Sequence, residues 1–341
     1  MLNESSISYD TLHSLIKERM SNLSLSSRDA KFFADYICEV SFAGIYTHSL
    51  MTLKAHINKI NSKQFELNNS LSFKKLSSVI YKLDCNNMIG CISATYAIDK
   101  AIEISETEGI GVVLANNANT YGAASYYANR AVKKNMIGIT FTNSPAAIAP
   151  IGGIKPIVGT NPFSVGIPAN TMIPFLLDMS SSKVAKSKIN IARLNNESIP
   201  NDWAIDVEGN PTTNPIEAIK GSILPLAGFK GFNLAILFDI LSGLLTGSSY
   251  QNNVGKFYGE DRKGSMDVGQ VFISINPKIL FSGNFYVEMD SYLENLKRQP
   301  LKNNAILHYP GEGYYNRLNQ NLSSGINIDN EIRKLIINDT A

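Results

Sequence analysis

Cysteine is scarce in this chain: three residues in 341, Cys38, Cys85 and Cys91, an odd number with no paired spacing. That argues against a disulfide framework and for a reducing compartment. Histidine occurs only at 13, 48, 56 and 308. His48 and His56, eight apart, do not stand on adjacent helical turns in a ligand geometry, so no metal site is expected. Charge of one sign is missing as well: 31 Lys+Arg against 29 Asp+Glu leave a formal +2. Neither a nucleic-acid partner nor an anionic membrane surface is implied by that balance. The opening MLNESSISYDTLHSLIKERM lacks a basic region followed by an apolar one, so it does not read as a secretory signal. The longest apolar run, Leu234 to Leu245, is too short to span a bilayer, contains Asp239, and reads as a buried helix. A soluble, cytoplasmic protein is expected.

Familiar catalytic signatures are absent too. No GxGxxG follows a strand, and no GxxxxGK[ST], HExxH, CxxC or GxSxG is present. What remains is 44% hydrophobic residues in a chain longer than one core usually supports. Two domains, or one with a large addition, follow from that.

The first ~70 residues read as helical. Ser26 to Asp29 resembles a capping box, Phe33, Tyr36, Ile37 and Val40 share one helical face, and Gly44 stands where a C-cap glycine belongs. A turn through Ile45 to His48 follows. A helix around Ala94 to Ile102 stops at Gly109, and a strand over 110–115 ends in the polar segment Asn116 to Thr120. A helix over 122–134 and a strand over 136–142 complete a βαβ pattern, which predicts a mixed or parallel sheet. Residues 145–180, rich in Gly and Pro, predict short strands and tight loops. Helices over 182–194 and 229–247, a loop over 201–215 around Trp203, a strand over 271–275 and an amphipathic tail helix with Ile332, Leu335 and Ile336 complete the reading.

Four positions invite chemistry. His48 follows a helix end between Thr47 and Ser49, where an imidazole can supply a proton or merely cap a helix. Asp178 follows an apolar strand and either orients a histidine or a cofactor hydroxyl, or caps the next helix. Lys230, between Gly228 and Gly231, either meets a phosphate or carboxylate or snorkels at a helix start. Gly311-Glu312-Gly313 is a tight turn carrying one carboxylate.

Read in order, the segments Ala43-Gly-Ile-Tyr-Thr-His48, Asn119-Thr-Tyr-Gly122, Thr142-Asn-Ser144, Gly159-Thr-Asn-Pro162, Leu177-Asp-Met-Ser180, Trp203-Ala-Ile-Asp206, Pro225 to Gly231 and Gly311-Glu312 resemble the type-2 malate/L-lactate dehydrogenase family. That group includes 2,3-diketo-L-gulonate reductase, ureidoglycolate and sulfolactate dehydrogenases and piperideine-2-carboxylate reductase. The resemblance implies a non-Rossmann α/β fold of the sulfolactate dehydrogenase type, with a mixed sheet and a helical domain built from both termini. The implied division is a helical substrate domain, 1–75 joined by 300–341, and a nucleotide-binding and catalytic region, 76–300. It further implies a homodimer and reversible hydride transfer between NADH or NADPH and C2 of a 2-oxo acid, keto sugar acid or cyclic imine.

Carried over position by position, the resemblance makes His48, Thr120 and Asp178 the catalytic candidates. It assigns cofactor contacts to Asn143, Ser144, Leu177, Asp178, Met179, Ser180, Phe229, Lys230, Gly311, Glu312 and Gly313, and substrate contacts to Thr47, His48, Thr52, Asn119 and Thr120. Two positions depart from the family. Thr120 stands where many members carry a second histidine, and a hydroxyl cannot act as a neutral-pH acid. Thr52 stands where members usually carry an Arg for the substrate carboxylate, which removes the planar fork. Lys54 offers a point charge in another register, and Ser49 replaces the usual glycine. These departures fit an active reductase with an altered substrate, or a dinucleotide binder without chemistry. NADH against NADPH is left open: Lys183, Lys186 and Lys188 either meet a 2′-phosphate or form a solvated helix face.

Overall fold

The computed structural model describes residues 6–68, 71–258 and 265–337. The outermost ends of the expected helical domain, 1–5 and 338–341, lie outside them. Strand β1 (Ser6–Ile7) leads into helices α1 (Tyr9–Asn22) and α2 (Ser27–Phe42). Ser26 starts α2 by accepting a hydrogen bond from the Asp29 N–H at 3.1 Å. Phe33, Tyr36, Ile37 and Val40 are buried, as their spacing requires, and Gly44 ends the helix at φ +79°. A 3-10 turn, Tyr46–His48, and a second, Leu50–Thr52, feed α3 (Leu53–Asn61).

The central region runs β2 (Phe73–Lys75), β3 (Ile80–Asp84), α4 (Gly90–Glu108), β4 (Ile110–Ala118), α5 (Ala124–Val132), β5 (Ile137–Thr142), β6 (Phe163–Ile167) and β7 (Phe175–Met179). It continues through α6 (Lys186–Leu194), β8 (Ala204–Ile205), α7 (Pro215–Lys220), β9 (Ser222–Ile223), α8 (Phe229–Asp239), β10 (Val268–Ile275), α9 (Pro277–Leu280) and α10 (Phe285–Lys297). Helix α11 (Glu312–Ser324), β11 (Ile326–Asn327) and α12 (Asn330–Ile337) bring the chain back: β11 pairs antiparallel with β1, and α12 packs on α1 and α3. Ile336 is buried and Ile332 and Leu335 are half-buried against the core.

The main sheet is mixed, in the order β2-β3-β4-β10-β5-β6-β7, with β3 and β4 its parallel pair. The βαβ reading of 110–142 needs one correction. β4 and β5 are not neighbours, because β10 lies between them and pairs antiparallel with both. The reason is β10 itself, an apolar strand buried along nearly its whole length, which is stable only at the centre of a sheet. β4 also runs on to Ala118, so Asn116 and Asn117 belong to the strand rather than to the loop.

Two helices differ from expectation. The helix after Asp178 begins at Lys186 with Ala185 as its N-cap residue, so Asp178 does not cap it. The run expected as one buried helix over 229–247 is α-helical to Asp239 and continues as a π-turn over Ile240–Leu244. Phe238 and Ala235 are buried on one side, but Phe229, Leu237, Leu244 and Leu245 are 62%, 46%, 59% and 57% exposed. A helix apolar all round fills only half its surface against this sheet.

Candidate active site

His48 ends the 3-10 turn after α2 and is half-buried. Its Nδ1 lies 2.9 Å from the Thr47 hydroxyl, and its Nε2 has no partner among the described residues. The backbone carbonyl of His48 accepts a hydrogen bond from the Tyr36 hydroxyl at 2.7 Å. The same hydroxyl accepts from the Ala123 N–H at 2.8 Å. Two residues on, the Ser125 N–H donates to the Asp178 carboxylate at 3.1 Å. Asp178, on β7, therefore caps α5, the helix packed on β5 to β7, where a carboxylate suits the positive helix end.

His48 and Asp178 lie within electrostatic reach of each other. Burial pushes the His48 imidazole below its ordinary value, and the Asp178 charge acts against that. Burial pushes the Asp178 carboxyl up, against the hydrogen bonds from Ser125 and the charge of His48. Asp178 itself is exposed to solvent at the end of β7, while His48 is half-buried. A histidine and a carboxylate that displace each other's titration form a candidate acid–base pair.

The other substrate-side positions differ in what they have free. The Thr120 hydroxyl makes no hydrogen bond among the described residues, while its N–H meets Met266 Sδ at 3.4 Å. Asn119 is buried and its amide is committed: it donates to Asn87 and Met88 and accepts from the Met266 N–H. Thr52 is buried, and its hydroxyl donates to the Ser49 carbonyl at 2.7 Å. Lys54 is on the surface in an ion pair with Glu331.

The cofactor-side positions form two groups. Met179 and Ser180, half-buried like Leu177, continue from Asp178 into Ser181 and Ser182, which lie against the entry to α8. The Leu226 N–H donates to the Ser181 carbonyl at 2.9 Å, and a Cβ on Gly231 would stand 2.4 Å from the Leu226 oxygen and 2.6 Å from the Ser181 oxygen. α8 starts without a side-chain cap, and the exposed Phe229 and Lys230 occupy its first turn. The Gly231 N–H is taken by the Leu226 carbonyl at 2.8 Å, but the Phe229 and Lys230 N–H groups and the Lys230 ammonium have no partner among the described residues, a small donor set that suits an anion. Ser144 joins this region through Asn161, whose Oδ1 accepts from the Ser144 N–H at 3.0 Å and whose Nδ2 donates to the Ala235 carbonyl in α8 at 2.8 Å. Asn143 is buried and holds Ser249, Gly269 and Asp239 with its side chain.

Gly311, Glu312 and Gly313 are positioned elsewhere. A Cβ on Gly311 would meet the Pro174 oxygen at 2.5 Å, at the start of β7 rather than its Asp178 end. Glu312 is buried, ion-paired with Lys297, and accepts from the Tyr309 N–H. Burial raises its carboxyl, but Lys297, the Tyr309 N–H and His308 together bring it below the ordinary value. Among the described residues no group of three His, Cys, Asp or Glu side chains could hold a metal ion, and all three cysteines are buried and unpaired.

Tyr36 and Asn161 carry the geometry without having been singled out as functional. The signal for Tyr36 was a phenol on an otherwise apolar helical face, since a buried hydroxyl needs partners. For Asn161 it was an amide in a Gly-Thr-Asn-Pro turn, held here at φ +38°.

Residues 7–336 match the malate/L-lactate dehydrogenase family. A malate/(S)-sulfolactate dehydrogenase of Methanothermus fervidus is 31% identical over 333 residues, covering 96% of this chain and 94% of that protein. A ureidoglycolate dehydrogenase (NAD(+)) of Escherichia coli O157:H7 is 28% identical over 341 residues, 98% of this chain and 95% of that one. The solved structure of sulfolactate dehydrogenase from Methanocaldococcus jannaschii superposes with a TM-score of 0.88 at 29% identity, covering 97% and 95% of the two chains.

Proposed function

The chain belongs to the malate/L-lactate dehydrogenase family and is a nicotinamide-dependent oxidoreductase; from that premise we propose that it moves a hydride between NADH or NADPH and C2 of a small 2-oxo acid, keto sugar acid or cyclic imine. The observation that carries this reading is that the backbone of His48 and the carboxylate of Asp178 are both tied to the start of α5, through Tyr36 and Ser125, with His48 Nε2 unpartnered among the described residues. In reduction, His48 holds the proton at Nε2 and delivers it to the carbonyl oxygen, or to the ring nitrogen of an imine, as C2 takes the hydride. The Asp178 carboxylate favours the imidazolium before transfer, and the Thr47 hydroxyl at Nδ1 orients the ring. The Thr120 hydroxyl bonds a substrate oxygen.

The bound nicotinamide supplies the hydride. Lys230 and the two open N–H groups at the start of α8 fit its diphosphate, and the strip from Leu177 to Ser180 fits the nucleoside beside it. The chain acts as a homodimer, its second copy covering the apolar face of Phe229, Leu237, Leu244 and Leu245. Glu312 holds the turn at the start of β7 in this reading, through Lys297 and the Tyr309 N–H.

Oxidation of NADH and NADPH at the nicotinamide absorbance, against a panel of 2-oxo acids, keto sugar acids and cyclic imines, tests the proposal. Turnover with one class fixes the substrate. Nucleotide binding without turnover across the panel would favour a dinucleotide binder that has lost its chemistry.

A further inference from the structure

Tyr36 is 2% exposed, and its hydroxyl has a fixed polarity. The Ala123 N–H can only donate, so the phenol accepts there, at 2.8 Å, and donates its own proton to the His48 carbonyl at 2.7 Å. One oxygen thus joins the residue before α5 to the backbone of the histidine. Asp178 is bonded to the same helix end through Ser125. His48 and Asp178 come from different parts of the fold, and this bridge sets their relation.

We propose that Tyr36 is a positioning residue for the proposed acid–base reaction: its hydroxyl holds the His48 turn against the start of α5, at the distance where the imidazole works with Asp178. The packing supports this. The ring is held edge-on by Tyr126 and stacked near Tyr127, so the phenol cannot swing away. Gly122, at φ +80°, leaves the hydroxyl its space: a Cβ there would stand 1.8 Å from the phenolic oxygen and 3.2 Å from the His48 carbonyl oxygen. The groups that bear on the phenol are Cys91 of α4, Tyr121 and Asp178, and burial holds it well above the ordinary tyrosine value. It therefore donates over the whole working pH range. The inference rests on the reading of His48 as proton carrier.

The test is Tyr36→Phe, which keeps the ring and deletes the bridge. Tyr127→Phe is the control, since it deletes another buried hydroxyl of the same cluster, one that donates to the Tyr121 carbonyl. In Y36F, kcat is expected to fall about 10- to 100-fold, the scale of a misplaced catalytic group. The pH limb of His48 is expected to move toward the ordinary imidazole value as water enters, with nucleotide affinity unchanged. Y127F lowers the melting temperature and leaves the pH profile in place. A lower melting temperature with unaltered kcat and pH limb in Y36F would overturn the proposal. Should Y36F not fold, Gly122→Ala reaches the same hydroxyl from the other side, and an unaltered profile there overturns it equally. H48A and the double variant H48A/Y36F separate the two claims. Full activity in H48A sinks the reading of His48. An inactive H48A with an unchanged Y36F sinks only Tyr36, and a Y36F effect that persists undiminished on H48A shows that Tyr36 does not act through the histidine.

Discussion

The Asp178 carboxylate accepts a hydrogen bond from the Ser125 N–H at 3.1 Å, across 53 positions of sequence. A residue of the sheet thereby caps a helix it follows in the chain, and the helix start brings it to the electrostatic range of His48. The expected function of each partner depends on this relation.

His48→Ala should lower kcat by roughly 10²–10⁴-fold, the usual contribution of a general acid, with nucleotide affinity retained. Asp178→Asn removes the charge that favours the imidazolium, so the His48 titration drops further below its ordinary value. Reduction needs the protonated ring and should fail at lower pH than in the wild type. Profiles of kcat/KM against pH check this, and a limb that stays or rises refutes the pairing.

His56 should make stability depend on pH. It is buried among Phe33, Phe65 and Phe257, and burial pushes it down to about 4, against its bond to the Thr52 carbonyl. The unfolded chain binds a proton at this site near pH 6.5 and the folded one does not. Stability from this group is complete above that pH and is lost as pH falls toward 4, by about 3 kcal/mol in all. Melting temperatures from pH 8 to 4 should fall less steeply in His56→Leu.

Gly231→Ala should cost about 1–3 kcal/mol, because the new Cβ meets backbone oxygens that cannot move aside as side chains do. By separating Ser181 from the start of α8, it should also weaken binding of NADH or NADPH several-fold. Denaturant midpoints and a nucleotide titration read by quenching of the single Trp203 report both.

Leu244→Asp places a charge on the exposed apolar face of the π-turn. The expected outcome is a shift from dimer to monomer by light scattering on a sizing column. A monomeric wild type would remove the reason for the face.

Lys54→Ala should leave KM for any acidic substrate within about twofold. The lysine is engaged with Glu331 at the surface, where ion pairs contribute little. A large rise in KM would show that Lys54 does replace the missing arginine.

Much of this protein was legible from local pattern. Spacing alone located the buried face of α2, and the glycines at 44 and 109 marked the helix ends, because both features depend on neighbours a few residues apart. Order of short motifs identified the family. The neighbours of β4 were not legible, since nothing in 110–142 says that a strand from 268–275 will lie between β4 and β5. Asn119 and Thr52 looked available on paper, and only folding turned their polar groups onto Asn87, Met88 and Ser49. Exposure of Leu237 and Leu244 likewise followed from how much of α8 and its π-turn the sheet could cover. By itself, the sequence determined which elements form, where they stop and which residue types were available for chemistry, because those rest on short-range propensity and periodicity. Tertiary structure alone decided which hydroxyls and amides were already hydrogen-bonded and that Tyr36 would bridge His48 and α5, because hydrogen bonds between distant segments depend on packing that no local pattern encodes.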